Sequence, residues 1–218
     1  MIRSFSILLF VLLFSFISHS QNKSFFSFIP KDYDTLLYGV AKGDLNKDGF
    51  EDVVLALYHK METRPVDSVD IDSIPSRILM ILFRSKDGYR KVDESSTALL
   101  CKYCGGVFGD PFAGIEIKKN ILNIYHYGGS NWKWSYTHKF RFQNGGFYLI
   151  GQISNSWWAV KPCDKLNDFA GLEYEDINFI TGHFEKKSIS KECKLLENKR
   201  SKRKVEPLIS LTEFTIEN

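Results

Sequence analysis

The chain has 218 residues, of which 44% are hydrophobic and 15% aromatic, and its formal net charge is +3. This length supplies one or two domains, and the apolar content provides a packed core, which excludes a globally disordered protein. The nearly balanced charge does not indicate nucleic-acid binding. One basic run, at residues 199–204, is typical of a solvated loop.

The first twenty residues have the pattern of a secretory signal peptide. Arg3 gives a positive start, residues 6–17 are almost wholly apolar, and small residues precede a cleavage point after Ser20. An uncleaved anchor is the alternative, but the apolar run is short for a membrane span and no later stretch is long enough. We therefore predict a secreted or periplasmic protein whose mature chain, residues 21–218, forms a single domain without a transmembrane span.

An acidic segment at residues 44–52 has the spacing of a calcium-binding loop. Oxygen-bearing side chains occupy loop positions 1, 3, 5 and 9, and Gly49 at position 6 permits a sharp turn. An EF-hand is excluded because position 12 is Leu55 and because residues 36–41 and 53–58 have strand patterns. The predicted Ca²⁺ ligands are the side chains of Asp44, Asn46, Asp48 and Asp52 and the backbone carbonyl of Phe50.

We accordingly predict a calcium-binding hairpin over residues 34–60. The alternative is a solvated turn between two strands, since Asp, Asn and Gly also favour turns for local reasons. The following residues 61–76 contain two prolines and no periodicity, which indicates a long exposed loop. Residues 78–83 form a continuous apolar run, which is typical of a buried central strand.

The centre of the chain has the clearest strand pattern. Residues 113–151 predict an antiparallel meander, with a hairpin turn at Asn144-Gly145-Gly146. Alternation is strict from Trp132 to Gln143, which predicts a strand buried on one face. That face comprises Trp132, Trp134, Tyr136, His138, Phe140 and Phe142. Further strands are expected at residues 175–184 and 205–216. The predicted fold class is mainly β, as a meander or sandwich or as propeller-like blades.

Four cysteines in an exported chain indicate structural disulfides. Three connectivities are open, and pairing between neighbours in the sequence is the default expectation. The Cys-x-x-Cys pair could instead be redox-active or half of a zinc site, but no second such pair exists and two glycines follow it. The expected pairs are Cys101–Cys104 and Cys163–Cys193.

Two stretches resemble known proteins. Residues 43–54 resemble the calcium loop of FG-GAP and VCBS-type repeats, which form β-propeller blades and bind Ca²⁺ at the carboxylates matching the ligands named above. Only one copy is present, which favours a single hairpin grafted onto another β domain. Within the Gly- and aromatic-rich segment 104–151, residues 104–115 and 126–134 are similar to a group of exported bacterial proteins that pair such a segment with an upstream Asp/Asn/Gly loop, a resemblance that spans roughly residues 38–151. This resemblance implies export and a shared fold, but no reaction.

The sequence leaves two classes of function open. A binding or structural module would present aromatic side chains such as Trp157, Trp158 and Tyr127 to a glycan or to an envelope or secreted protein. The alternative is a secreted hydrolase, directed at a glycan or an ester, that uses Asp110, His126 or their neighbours. No nucleophile elbow supports the second class. We therefore predict an exported, calcium-binding module rather than an enzyme.

Overall fold

Continuous apolar runs and segments of alternating apolar and polar residues build two antiparallel β-sheets in this chain. The computed structural model describes residues 24–216, and the predicted signal peptide at residues 1–20 lies outside them. One sheet has four strands and the other has seven, and short 3₁₀ turns join some of them. The mainly β fold predicted from the sequence is confirmed. No helix in the described range is long and apolar enough to span a membrane.

The four-stranded sheet follows the chain order, with β2 and β3 at its centre. These two strands are apolar along almost their whole length because both faces of the sheet are covered. The predicted hairpin is present, since β1 pairs antiparallel with β2 on either side of the acidic loop. The strands are β1 (Tyr33–Gly43), β2 (Asp52–His59), β3 (Ile78–Ser85) and β4 (Gly88–Ser95).

The segment between β2 and β3 is a loop, as predicted, but it contains three short 3₁₀ turns at Lys60–Thr63, Val66–Ser68 and Ile71–Ser73. Most of its side chains are exposed. Glu62 is the exception and is buried, because it pairs with an arginine at the start of β3.

The seven-stranded sheet is a continuous meander in chain order. It confirms the meander predicted for residues 113–151 and extends it by three further strands. The strands are β5 (Phe112–Lys118), β6 (Ile121–Gly129), β7 (Trp132–Gln143), β8 (Gly146–Cys163), β9 (Asp168–Asn178), β10 (His183–Ile189) and β11 (Leu195–Lys202). Both expected cysteine pairs form disulfides, with Cα–Cα distances of 5.2 Å for Cys101–Cys104 and 5.4 Å for Cys163–Cys193.

Three predictions near the C-terminus are wrong. The strand predicted at residues 175–184 is interrupted, because the Asn178 side chain accepts two backbone N–H groups and Gly182 adopts a φ of +72° to form a turn. Most of the basic run at residues 199–204 lies in β11, where charged side chains suit an exposed edge strand. Residues 205–216 make only an isolated bridge to β8 at Ser210 rather than a regular strand.

The main core lies between the two sheets. The small sheet covers β5 to β8, and no residue of β9 to β11 belongs to the main core cluster. Three buried residues of the loop after β4 and three of the C-terminal segment close its open side; they are Ala98, Leu99, Leu100, Leu211, Phe214 and Ile216. A separate cluster around Cys163, Ala170, Leu172 and Ile189 stabilises the far half of the large sheet.

The aromatic face of β7 is therefore only half covered. His138 and Phe140 are buried in the main core, as predicted, whereas Trp132 at the other end of the strand is 41% exposed. The prediction that Trp132 is a core residue is wrong, because the small sheet does not reach that end of β7. On the opposite face, Lys133 is buried although its alternation predicted exposure.

Close packing at this end of β7 depends on Gly128. A Cβ atom at this position would collide with Cζ2 of Trp134 and lie 3.0 Å from the carbonyl oxygen of Gly105. We expect Gly128→Ala to lower the free energy of unfolding by about 1–3 kcal/mol, since an added methyl overpacks the site. Urea denaturation measures this change.

Gly146→Ala is the matched control, because its added Cβ would lie 3.4 Å from Tyr148, an ordinary contact distance. Its cost should be about 0.5 kcal/mol or less. Equal stability of the two variants would show that Trp134 does not pack against Gly128.

Candidate functional sites

The acidic loop follows directly from the β1–β2 hairpin. The side chains of Asp44, Asn46 and Asp48 bend the backbone by accepting N–H groups from residues a few positions later. Asp44 accepts from Lys47 at 2.6 Å and from Gly49 at 3.1 Å, and Asp48 accepts from Phe50 at 2.9 Å. Gly49 has a φ of +85°, as its predicted turn position requires.

Asp52 has a second role that the sequence did not indicate. Its carboxylate is fully buried and accepts the backbone N–H of Leu45 at 2.9 Å and that of Arg84 at 3.0 Å. It therefore fastens the loop to the end of β3. Burial raises the pKa of Asp52 above its ordinary value, although the two hydrogen bonds lower it. The charges of Asp48 and Asp44 raise the pKa further.

The donor set of the loop fits a hard cation. All predicted ligands offer oxygen, which is what Ca²⁺ prefers, and each carboxylate oxygen keeps lone-pair capacity beside its N–H partner. Within residues 24–216, no group of three or more His, Cys, Asp or Glu side chains is arranged closely enough to hold a metal ion. Calcium binding at this loop stays a prediction.

A buried ion cluster surrounds the guanidinium of Arg77. Arg77 lies 2.7 Å from Glu62 and 2.6 Å from Asp110, and it donates to the carbonyl of Leu100 at 3.1 Å. Burial alone would lower the pKa of Arg77, but its hydrogen bonds to Asp110 and Glu62 raise the pKa above its ordinary value. The cluster joins the turn after β2, the start of β3 and the loop that carries the Cys101–Cys104 disulfide.

The two residues of the hydrolase alternative belong to this structural cluster. Asp110 is held by both terminal nitrogens of Arg77, and His126 accepts the N–H of Leu100 through Nε2 at 3.3 Å. Burial lowers the pKa of His126 to about 3, helped by the nearby His138 and Arg77 charges. Among the described residues, neither side chain hydrogen-bonds a serine or threonine side chain. The arrangement therefore supports a structural role for Asp110 and His126.

The candidate ligand residues Tyr127, Trp157 and Trp158 divide between the two faces of the large sheet. Tyr127 and Trp157 belong to a row of four rings, here called the aromatic row, with centroids about 6 Å apart: Phe108, Tyr127, Trp157 and Phe169. Trp158 lies on the opposite face and stacks on Trp132 with an interplanar angle of 13°.

The aromatic row is accessible to a partner. Phe108 is 54% exposed, and its neighbour Val107 is 86% exposed. The ammonium group of Lys133 lies 3.0 Å from the centroid of Phe108, which explains why this lysine is buried. Sequence reasoning missed Phe108 and Phe169, because neither lies in an alternating pattern with Tyr127.

We expect Arg77→Met to lower the free energy of unfolding by about 3–5 kcal/mol, because it leaves the buried Glu62 carboxylate without its partner. Arg200→Met is the matched control, since Arg200 is largely exposed in its ion pair with Glu185 and should contribute about 1 kcal/mol or less. Guanidinium denaturation measures both changes. Equal, small losses for the two variants would contradict a structural role for the cluster.

Comparisons with models of known protein families, with curated proteins and with solved structures gave no match to this chain. The assignments of the acidic loop, the ion cluster and the aromatic row therefore rest on the geometry of the described residues. The resemblance of residues 43–54 to FG-GAP and VCBS-type loops stays a prediction.

Proposed function

We propose that this chain is an exported, calcium-stabilised β module that binds a protein of the cell envelope or the secreted medium. The observation that carries the proposal is the aromatic row, which presents rings from three separate parts of the large sheet on one accessible face. Aromatic residues dominate the energetics of protein interfaces. The two disulfides are compatible with an oxidising, extracytoplasmic compartment.

A protein partner suits the aromatic row better than a glycan does. Val107, Phe108 and Phe169 are apolar, and the only hydrogen-bonding side-chain groups of the row are the hydroxyl of Tyr127 and the indole N–H of Trp157. A sugar needs such groups for its hydroxyls, whereas a protein interface has an apolar centre with a polar rim. Lys133 sits beneath the row and fixes the orientation of the Phe108 ring.

Calcium has a supporting role in this proposal. Asp44, Asn46, Asp48, Asp52 and the carbonyl of Phe50 would hold the ion, and its charge would offset the repulsion among the three carboxylates. Asn120, in the turn between β5 and β6, donates a side-chain hydrogen bond to the carbonyl of Asp44. The loop thereby contacts the large sheet, so fixing it stabilises the junction of the two sheets.

We expect calcium to raise the melting temperature of the protein. Extracellular calcium modules have dissociation constants of about 10⁻⁴–10⁻³ M, and tenfold excess free calcium then stabilises the fold by about 1.4 kcal/mol. For a domain of this size this corresponds to a shift of roughly 3–6 °C. Thermal melts in EDTA and in millimolar calcium measure it, with calorimetry for the heat of binding.

Asp48→Ala removes one predicted ligand without altering a strand, so this variant should melt at the same temperature in both buffers. Lys47→Ala changes a neighbouring residue whose side chain is not a predicted ligand, and it should keep the calcium response. A wild-type protein that melts identically with and without calcium, and gives no heat of binding, refutes the calcium part of the proposal.

The binding part is tested at Phe108, the most exposed ring of the aromatic row, and at its neighbour Val107. We expect the double variant Val107→Ser/Phe108→Ser to lose at least about tenfold in capture of the partner, since central aromatic residues contribute about 2 kcal/mol or more to binding. The measurement is affinity capture from an envelope and secreted-protein fraction, with quantitative mass spectrometry and a melting curve for each bait.

Leu195→Ser/Leu196→Ser is the matched control. It changes two adjacent exposed apolar residues at the edge of the large sheet, away from the aromatic row. This bait should capture the same protein as the wild type. The proposal fails if all three baits capture the same proteins in equal amounts.

A further inference from the structure

The large sheet carries a cleft on the face opposite the aromatic row. Its larger lobe has a volume of about 460 Å³ and lies between β7, β8 and the C-terminal segment. A smaller lobe of about 220 Å³ continues over β8 and β9. Tyr136 and Gln152 line both lobes, which makes the cleft continuous. Its size falls in the range of small-molecule binding sites.

Several polar side chains of this cleft lack protein partners, whereas Asn155, Glu175 and Glu213 are hydrogen-bonded or ion-paired within the protein. Tyr136, Gln152, Ser154 and Glu173 make no side-chain hydrogen bond to any residue of the described range. His138, at the bottom of the larger lobe, is only 4% exposed, and its Nδ1 atom has no hydrogen-bond partner among the described residues. Polar side chains in the interior are normally paired. In this cleft only His138 departs from this rule, since Tyr136, Gln152 and Ser154 are half-buried and Glu173 is exposed. Those four polar groups face the open cleft and are available to a polar ligand.

The larger lobe also has an aromatic floor. The ring of Tyr136 lies between Trp134, at 5.3 Å between centroids, and His138, at 5.9 Å. Burial lowers the pKa of His138 to about 4, so its imidazole is neutral at physiological pH. An aromatic surface flanked by hydroxyl, amide and carboxylate groups matches a sugar ring, which has apolar C–H faces and an equatorial rim of hydroxyls.

The charges around the cleft restrict the class of ligand. Glu173 and Glu175 line the smaller lobe, and Glu213 lines the larger one. Lys186, which pairs with Glu175 of the lining at 3.8 Å, is also paired with Glu197 at 3.7 Å. This acidic setting disfavours anionic ligands and accepts neutral or cationic ones.

An extended peptide is a poorer match for the same cleft. Peptides that join a sheet need a free strand edge for main-chain hydrogen bonds. The cleft lies on the face of β7, β8 and β9, whose backbones are already paired with each other. On the sheet face, only side-chain groups are therefore available to the ligand.

We propose that this cleft binds a neutral or amine-bearing oligosaccharide, with one sugar ring stacked on Tyr136 and its hydroxyls bonded by Gln152, Ser154 and Glu173. This site goes beyond the protein partner proposed for the aromatic row and uses different residues on the other face of the sheet. An experiment can therefore refute sugar binding in the cleft without refuting protein binding at the aromatic row.

The experiment titrates the purified full-length protein with five tetrasaccharides by calorimetry. Four are neutral or amine-bearing, namely cellotetraose, maltotetraose, N-acetylchitotetraose and the glucosamine tetramer, and the fifth is the acidic tetragalacturonate. We expect at least one of the first four to bind and tetragalacturonate to bind more weakly. Gln152→Ala should weaken binding about five- to tenfold, because the variant loses one or two hydrogen bonds to the sugar.

Gln143→Ala is the matched control, since Gln143 lies on the neighbouring strand β7 at its far end and outside the cleft. This variant should bind with the affinity of the wild type. Melting curves establish that both variants are folded. The proposal is overturned if no neutral or amine-bearing tetrasaccharide binds, if tetragalacturonate binds as tightly, or if Gln152→Ala leaves the affinity unchanged.

Discussion

The buried guanidinium of Arg77 is the interaction on which one whole end of the molecule depends. It holds Glu62 from the turn after β2, and it holds Leu100 and Asp110 from the two ends of the disulfide loop. The same loop supplies apolar residues to the main core and carries Phe108 at its tip. The cluster thus positions both a part of the core and the start of the aromatic row. Removing one of its buried charges would strongly lower the free energy of unfolding.

The unequal size of the two sheets determines where the surface is open. Four strands cannot cover seven, so β5 to β8 share a core with the small sheet while β9 to β11 extend beyond it. One strand, β7, therefore has a buried end at Phe140 and an open end at Trp132. The cleft lies at the boundary between the covered and the uncovered part of the large sheet, where the C-terminal segment meets the open sheet face.

Local sequence signals account for the parts of the fold that could be predicted. The hairpin around residues 44–52, the meander from residue 113 and the two disulfides follow from side-chain period, turn residues and cysteine spacing. The remaining features depend on contacts between distant segments. No local pattern shows that Phe108 folds over Lys133, that the sheet coverage ends before Trp132, or that Asp52 accepts the N–H of Arg84. The cleft was missed for the same reason, since its polar residues look ordinary along β8.

The Cys163–Cys193 disulfide has a consequence for how the protein opens. It joins the end of β8 to the turn before β11, next to the separate apolar cluster of the far half of the sheet. With its own small core, this half forms a cooperative unit that can exchange its amide hydrogens while the sandwich remains closed. The disulfide limits how far this unit can separate from the sheet, because β9 and β10 stay tethered at both ends when they open. The short closed loop favours their return to the sheet. Partial unfolding of β9 and β10, which lie between the two cysteines, is thereby kept local, which limits the time for which their edges are free to pair with other chains.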